Sequence, residues 1–217
     1  MYSSSQGSSD FDLNFSLFGI PIQVKPWFWL SAILLGLPQA QEAGDWLPLA
    51  TWVGVVFISL LVHELGHAFA GRALGNRPFI VLTFMGGGAY SSQEFGWRQV
   101  FVTAAGPLAG GALFLLCLVL RIQGIIPDSV TVQQLLMVNL FWTIFNLLPV
   151  YPLDGGQIMQ GTTQALLPRW SIMLTHSISV VVAALVAIFG LMSGAPFLTI
   201  FFAMFCLLNI QILQANR

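Results

Sequence analysis

Long apolar runs separated by short polar loops dominate the hydropathy pattern of this chain. A helix needs about 20 apolar residues to cross a bilayer. Five runs meet or approach that length, at 47–74, 97–120, 130–148, 170–192 and 196–213. A shorter run at 27–37 crosses only if its helix continues toward Gln41. The pattern therefore predicts an all-α polytopic membrane protein with about six transmembrane helices, or five if the first run does not cross.

Two segments outside these runs have β-strand character. Residues 15–24 form two β-prone pieces about Gly19, and residues 78–90 combine a β-branched stretch with Gly86, Gly87 and Gly88. Both are too short to span a membrane, so the sequence predicts short β-hairpin or re-entrant elements near the cytoplasmic side.

The domain organisation follows from the same pattern. The Ser-rich residues 1–12 predict a disordered tail. Residues 13–217 predict a single transmembrane domain. Within it, a core of about 46–156 precedes two accessory C-terminal spans at about 170–213.

Composition supports a membrane protein and excludes one class of partner. The chain is 57% hydrophobic and 7% charged, with a mean hydropathy of +0.84, whereas a soluble domain is about 25% charged. We therefore expect the lipid bilayer to be its surroundings. A net charge of −1 offers no basic patch, so nucleic acid is not an expected partner.

The basic residues predict the orientation, because cytoplasmic loops are enriched in Lys and Arg. With six spans, Arg121 lies alone on one side. The other side holds Lys25, Arg72, Arg77, Arg98, Arg169 and Arg217. This predicts a multi-pass protein of the cytoplasmic membrane with both termini in the cytoplasm. His67, five residues before Arg72, is then near the cytoplasmic surface.

The strongest chemical signal is an H-E-x-x-H motif inside the second apolar run. His63 and His67 are one helical turn apart, so both imidazoles face one side, as two ligands of one metal must. Glu64 lies about 100° round the helix, within reach of a metal-activated water without being a ligand.

A catalytic zinc takes three protein ligands and keeps one position open. Of the acidic residues, those in the tail and in the 42–45 loop are poor candidates and Asp128 is predicted on the opposite side, which leaves Glu94 and Asp154 on the side of the histidines. Glu94 lies in a Ser/Gln-rich loop, whereas Asp154 follows a Pro-broken helix that could hold a carboxylate rigidly. Asp154 is therefore the predicted third ligand. Two neutral imidazoles and one carboxylate leave the Zn²⁺ site with a net charge of +1, and a bound hydroxide brings it to zero. A neutral cluster is tolerated inside a membrane, where a net charge is costly.

The motifs together resemble the site-2 protease family of intramembrane zinc metalloproteases. The resemblance rests on the H-E-x-x-H helix, on Ala105-Gly106-Pro107-Leu108 in the next span, and on Asn146-x-x-Pro149-x-x-x-x-Asp154-Gly155. It covers about residues 13–156 and predicts a short form without a PDZ or CBS domain.

This resemblance implies a zinc metalloendopeptidase with one Zn²⁺ per chain, bound by His63, His67 and Asp154. Glu64 is then the general base, and Asn146 hydrogen-bonds the substrate carbonyl. The stretch Gly86, Gly87 and Gly88 resembles a re-entrant element that would pair with an unwound substrate. The expected substrate is a transmembrane protein cleaved near the cytoplasmic face, and control would come from earlier trimming of the substrate or from a separate regulatory membrane protein.

Two other functions are compatible with the residues. An inactive relative would keep the metal site as structure, but Glu64 and both histidines are present. A metal-ion transporter would need polar residues repeated across several spans, and the last two spans carry little beyond His176. The protease is the leading prediction.

Overall fold

The computed structural model describes residues 11–83, 86–90 and 94–216. Most of them lie in helices, and four short strands form one sheet. The helices are α1 Pro26–Ala43, α2 Leu47–Ala73, α3 Trp97–Ile122, α4 Val130–Asn146, α5 Asp154–Leu166, α6 Ser171–Met192 and α7 Pro196–Ala215. The strands are β1 Leu13–Leu17, β2 Ile20–Val24, β3 Phe79–Thr83 and β4 Gly86–Tyr90.

The chain divides into two compact units. Unit 1 comprises Met1–Ser92 and Leu108–Phe141, and unit 2 comprises Gln93–Pro107 and Trp142–Arg217. Residues 1–10 of the predicted tail lie outside the described residues. The single transmembrane domain over 13–217 stays a prediction.

In unit 1, the four strands form a sheet in the order β1-β2-β3-β4. The β1–β2 and β3–β4 pairs are antiparallel, as the two predicted hairpins require, and Gly19 has the positive φ of 72° that the first turn needs. The parallel β2–β3 pair joins the hairpins. On the two central strands, one face is buried: Ile20, Ile22, Val24, Ile80 and Leu82.

Helix α4 is bound to α2 within unit 1 by polar side chains. Gln134 Nε2 donates to the Pro48 carbonyl at 2.9 Å, and Asn139 Nδ2 donates to Ser59 Oγ at 2.9 Å. These bonds explain the unusual polarity of the third predicted span, because a buried polar group is stable only when it is hydrogen-bonded.

Unit 2 is built on the α6–α7 hairpin. A buried cluster of Ala183, Phe202 and Phe205 from these helices also contains Val150 and Leu153 from the segment before α5. Helix α5 packs on α6 as well. The hairpin therefore supports the segment that leads to Asp154.

Among the described residues, four helices are long and apolar enough to cross a membrane, namely α2, α3, α6 (counted from Pro168) and α7. The count of six is not confirmed. Helix α4 has 17 residues, which rise about 26 Å, short of a hydrocarbon core of about 30 Å. Helix α1 has 18 residues but contains Pro38 and a polar C-terminal end, and it is not among the four.

Helix α5 is an element that the sequence reasoning missed. Its glycines argue against a helix, but they serve close packing. A Cβ on Gly155 would collide with the backbone of Leu147 and Leu148, and one on Gly156 would collide with Val150 and Tyr151. The first turn of α5 therefore lies directly against the preceding turn.

We expect Gly155→Ala to destabilise the protein by about 1–3 kcal/mol, because overpacking against rigid backbone costs that much. Thermal unfolding in detergent micelles measures the change. Gly54→Ala is the matched control, since Gly54 is also helical and nothing lies within 4 Å of an added Cβ. Equal stability of the two variants would contradict the close packing of α5.

Candidate metal centre

The H-E-x-x-H motif lies in the second half of α2, in unit 1. Nothing in the preceding residues breaks the helix, so the two histidines keep the one-turn separation that the sequence predicts. His63 and Glu64 are buried, at 3% and 4% exposure, and His67 is partly exposed. Two ionisable side chains therefore share an apolar helix with little access to solvent.

The two imidazoles converge on one point. The Nε2 atoms of His63 and His67 are 3.2 Å apart, with the ring planes at 84°. Ligand nitrogens of a tetrahedral zinc lie about 2.0–2.1 Å from the metal, which places two of them about 3.3 Å apart. The observed separation matches that value, so this histidine pair fits a zinc ion.

Strand β4 passes directly beside Glu64. A Cβ built on Gly87 would come within 2.5 Å of Glu64 Cγ and Oε1. Gly87 pairs with Leu82, so the two residues lie on the same face of the sheet. At position 87, any residue with a Cβ would therefore displace the Glu64 carboxylate. The sequence predicted the glycines as a substrate-pairing element and missed this contact.

Asp154 begins α5 in unit 2 and is buried at 7% exposure. The segment before it turns sharply through Pro149 and Pro152, and the Tyr151–Pro152 peptide bond is cis. A backbone bond from the Leu153 N–H to the Val150 carbonyl at 2.8 Å closes this turn. A carboxylate in the first turn of a helix also faces the positive end of the helix dipole.

Asn146 is the last residue of α4 and also lies in unit 2. Its Nδ2 donates to the Trp142 carbonyl at 3.0 Å. The amide nitrogen carries two hydrogens, so this bond accounts for one of them. The observed geometry is therefore compatible with helix capping and with a second donation to a substrate.

Three other acidic side chains have basic partners. Lys25 pairs with Asp12 at 2.7 Å, Arg121 pairs with Asp128 at 2.7 Å, and Arg98 lies 4.0 Å from Glu94. Hydrogen bonds from Gln133 and then from Arg121 lower the pKa of the Asp128 carboxyl, which lies in the α3–α4 loop.

The fold and the α2 motif define a membrane protein with a metalloprotease-type histidine helix. Residues 125–190 match the model of Peptidase family M50. A Synechocystis protein provisionally named a zinc metalloprotease is 31% identical over 159 residues, which are 67% of this chain and 42% of that protein. A zinc metalloprotease of Methanocaldococcus jannaschii is 30% identical over 153 residues, 67% of this chain and 43% of that protein.

The fold also matches a solved structure. The site-2 protease from Methanocaldococcus jannaschii superimposes with a TM-score of 0.67 at 23% identity, covering 93% of this chain and 94% of that one. The chain is thus related to Peptidase family M50 and to the site-2 proteases, which confirms the resemblance predicted from its motifs. It is an integral membrane protein, and it spans less than half the length of these two named relatives.

Proposed function

We propose that this chain is an intramembrane zinc endopeptidase. It would hydrolyse a peptide bond in or beside a transmembrane segment of a membrane-protein substrate. The observation that carries the proposal is the pair of imidazole Nε2 atoms 3.2 Å apart, with Glu64 buried beside them, on a helix apolar enough to span a bilayer.

One zinc ion would be held by His63, His67 and Asp154, the ligand set that the resemblance implies. Nitrogen and carboxylate ligands of this kind suit zinc. When bound, the ion activates water and polarises the scissile carbonyl. Support comes from the zinc metalloprotease relatives and from the fit of the histidine pair.

Glu64 would carry the proton between the two halves of the reaction. It accepts a proton from the water whose oxygen bonds to the scissile carbonyl carbon. It then gives that proton to the amide nitrogen as the C–N bond breaks, which releases a carboxylic acid and an amine. Asn146 would donate its second amide hydrogen to the carbonyl oxygen, where negative charge develops.

Strand β4 would present the substrate. Helical amides are bonded internally, so a transmembrane substrate must unwind before its backbone can react. Strand β4 is at an edge of the sheet, and an extended segment could pair with Gly86, Gly87 and Gly88 as an added strand. The absence of side chains on these residues supports a close backbone approach.

The site would face the cytoplasm, in a protein with six crossings and both termini cytoplasmic. This orientation rests on the six basic residues that share one predicted side. The released fragment would enter the cytoplasm. Substrate supply would be controlled by a separate regulatory membrane protein or by earlier trimming of the substrate.

The test is a cleavage assay with the purified chain and a single-span membrane peptide reporter. We expect one zinc per chain, cleavage of the reporter, loss of cleavage with a zinc chelator, and recovery when zinc is restored. Zinc binding without cleavage of any reporter in a varied panel would favour the inactive relative. Zinc flux into vesicles without cleavage would favour transport.

A further inference from the structure

A polar cluster is buried inside the α6–α7 hairpin of unit 2. His176 and Ser179 on α6 and Asn209 on α7 are 2%, 0% and 0% exposed. Buried polar groups cost free energy unless they are hydrogen-bonded. The hydrogen-bond partners of these three side chains therefore indicate their structural role.

The orientation of Asn209 is fixed by its acceptors. Asn209 Nδ2 donates to the carbonyl oxygens of Tyr151 and Phe205, each at 2.7 Å. Because both are acceptors, the amide nitrogen must face them, and Asn209 Oδ1 then faces His176 Nδ1 at 2.6 Å. A carbonyl oxygen only accepts, so His176 Nδ1 carries the proton and donates it.

Tyr151 is bound from both sides. Its N–H donates to Ser179 Oγ at 3.0 Å, and its carbonyl accepts from Asn209. Its ring also packs edge-on against the His176 ring, with centroids 5.1 Å apart. Both backbone polar groups of one residue, three positions before Asp154, are thus held by α6 and α7.

Apolar packing alone would leave this segment less well defined. Val150 and Leu153 pack against Ala183, Phe202 and Phe205, but such contacts have no preferred direction. Hydrogen bonds do have angular preferences. The apolar cluster therefore holds the segment against the hairpin, and the hydrogen bonds to Tyr151 fix the orientation of its backbone.

We propose that His176, Ser179 and Asn209 form a positioning clamp that holds the 150–154 segment and thereby orients the Asp154 carboxylate for zinc. The effect on zinc rests on the proposed function. The effect on the segment itself does not, because the clamp acts on Tyr151 whether or not a metal is bound. The lone histidine of α6 is then a positioning residue.

The first experiment measures hydrogen exchange of the 150–154 segment in the metal-free, full-length protein. We expect Ser179→Ala and Asn209→Ala to raise its exchange rate at least about tenfold, with the rest of α6 and α7 unchanged. Ser193→Ala is the matched control, because Ser193 directly follows α6 and its exposed hydroxyl donates to the Phe189 and Gly190 carbonyls of that helix. Exchange unchanged in both test variants, or raised equally throughout α6 and α7, would overturn the proposal.

The second experiment measures zinc affinity by competition with a chelator. We expect His176→Ala to weaken zinc binding about tenfold, and His176→Asn, which keeps an N–H donor near Nδ1, to restore it. Equal weakening by both would contradict the clamp. If the wild-type chain binds no zinc, the proposed function fails. The hydrogen-exchange measurement on the metal-free protein still tests whether the clamp holds the 150–154 segment.

Discussion

Glu64→Gln is expected to lower cleavage of a membrane reporter by at least about 10³-fold while zinc stays bound at one equivalent. The amide keeps the shape of the carboxylate but cannot take a proton from water, and positioned acid–base groups contribute about 10²–10⁴-fold. Neither histidine is altered by this substitution. Single-turnover cleavage and metal content of the same sample give the two readouts.

The matched control is Glu94→Gln, the same chemical change in the other carboxylate predicted on the side of the histidines. Glu94 lies 4.0 Å from Arg98 at the start of α3, and we expect its variant to cleave within about twofold of the wild type. Cleavage that survives in Glu64→Gln would remove the assigned base. Loss of zinc in Glu94→Gln would instead show that the elimination chose the wrong carboxylate.

The parts of the site that follow from helical periodicity could be predicted from the sequence. The spacing of His63 and His67 fixes their common face once the segment is a helix, and the apolar run ensures that it is one. The Pro/Gly context around Asp154 predicted a broken helix, and the structure has a turn between α4 and α5 there. Local chemistry therefore sufficed for the helix that carries the two histidines.

The remaining features depend on packing contacts that the local hydrophobic and polar pattern does not encode. The parallel pairing of β2 with β3 joins strands separated by α1 and α2. Helix α5 was missed because Gly155 and Gly156 lower helix propensity, while their value lies in contact with the preceding turn. His176 gave no signal either, because its partner Asn209 is 33 residues away.

Gly87→Val is expected to reduce cleavage roughly 10²-fold with zinc content unchanged, since a misplacement of about 1 Å at a catalytic group can cost that much. The added side chain would occupy the space of Glu64 Cγ and Oε1, so the carboxylate must move. The two histidines are on the same helix as Glu64, but the atoms nearest to the added Cβ all belong to Glu64. Cleavage rate and metal content are measured together, as for Glu64→Gln.

Gly88→Val separates displacement of Glu64 from a general effect on the strand. Gly88 pairs with Val81, so it belongs to the sheet face opposite to that of Gly87 and Leu82. Both variants add the same β-branched side chain and stiffen β4 equally. If only Gly87→Val loses activity, the strand acts on Glu64. If both lose it, backbone pairing with the substrate is the sensitive step, and if neither does, β4 has no part in the reaction.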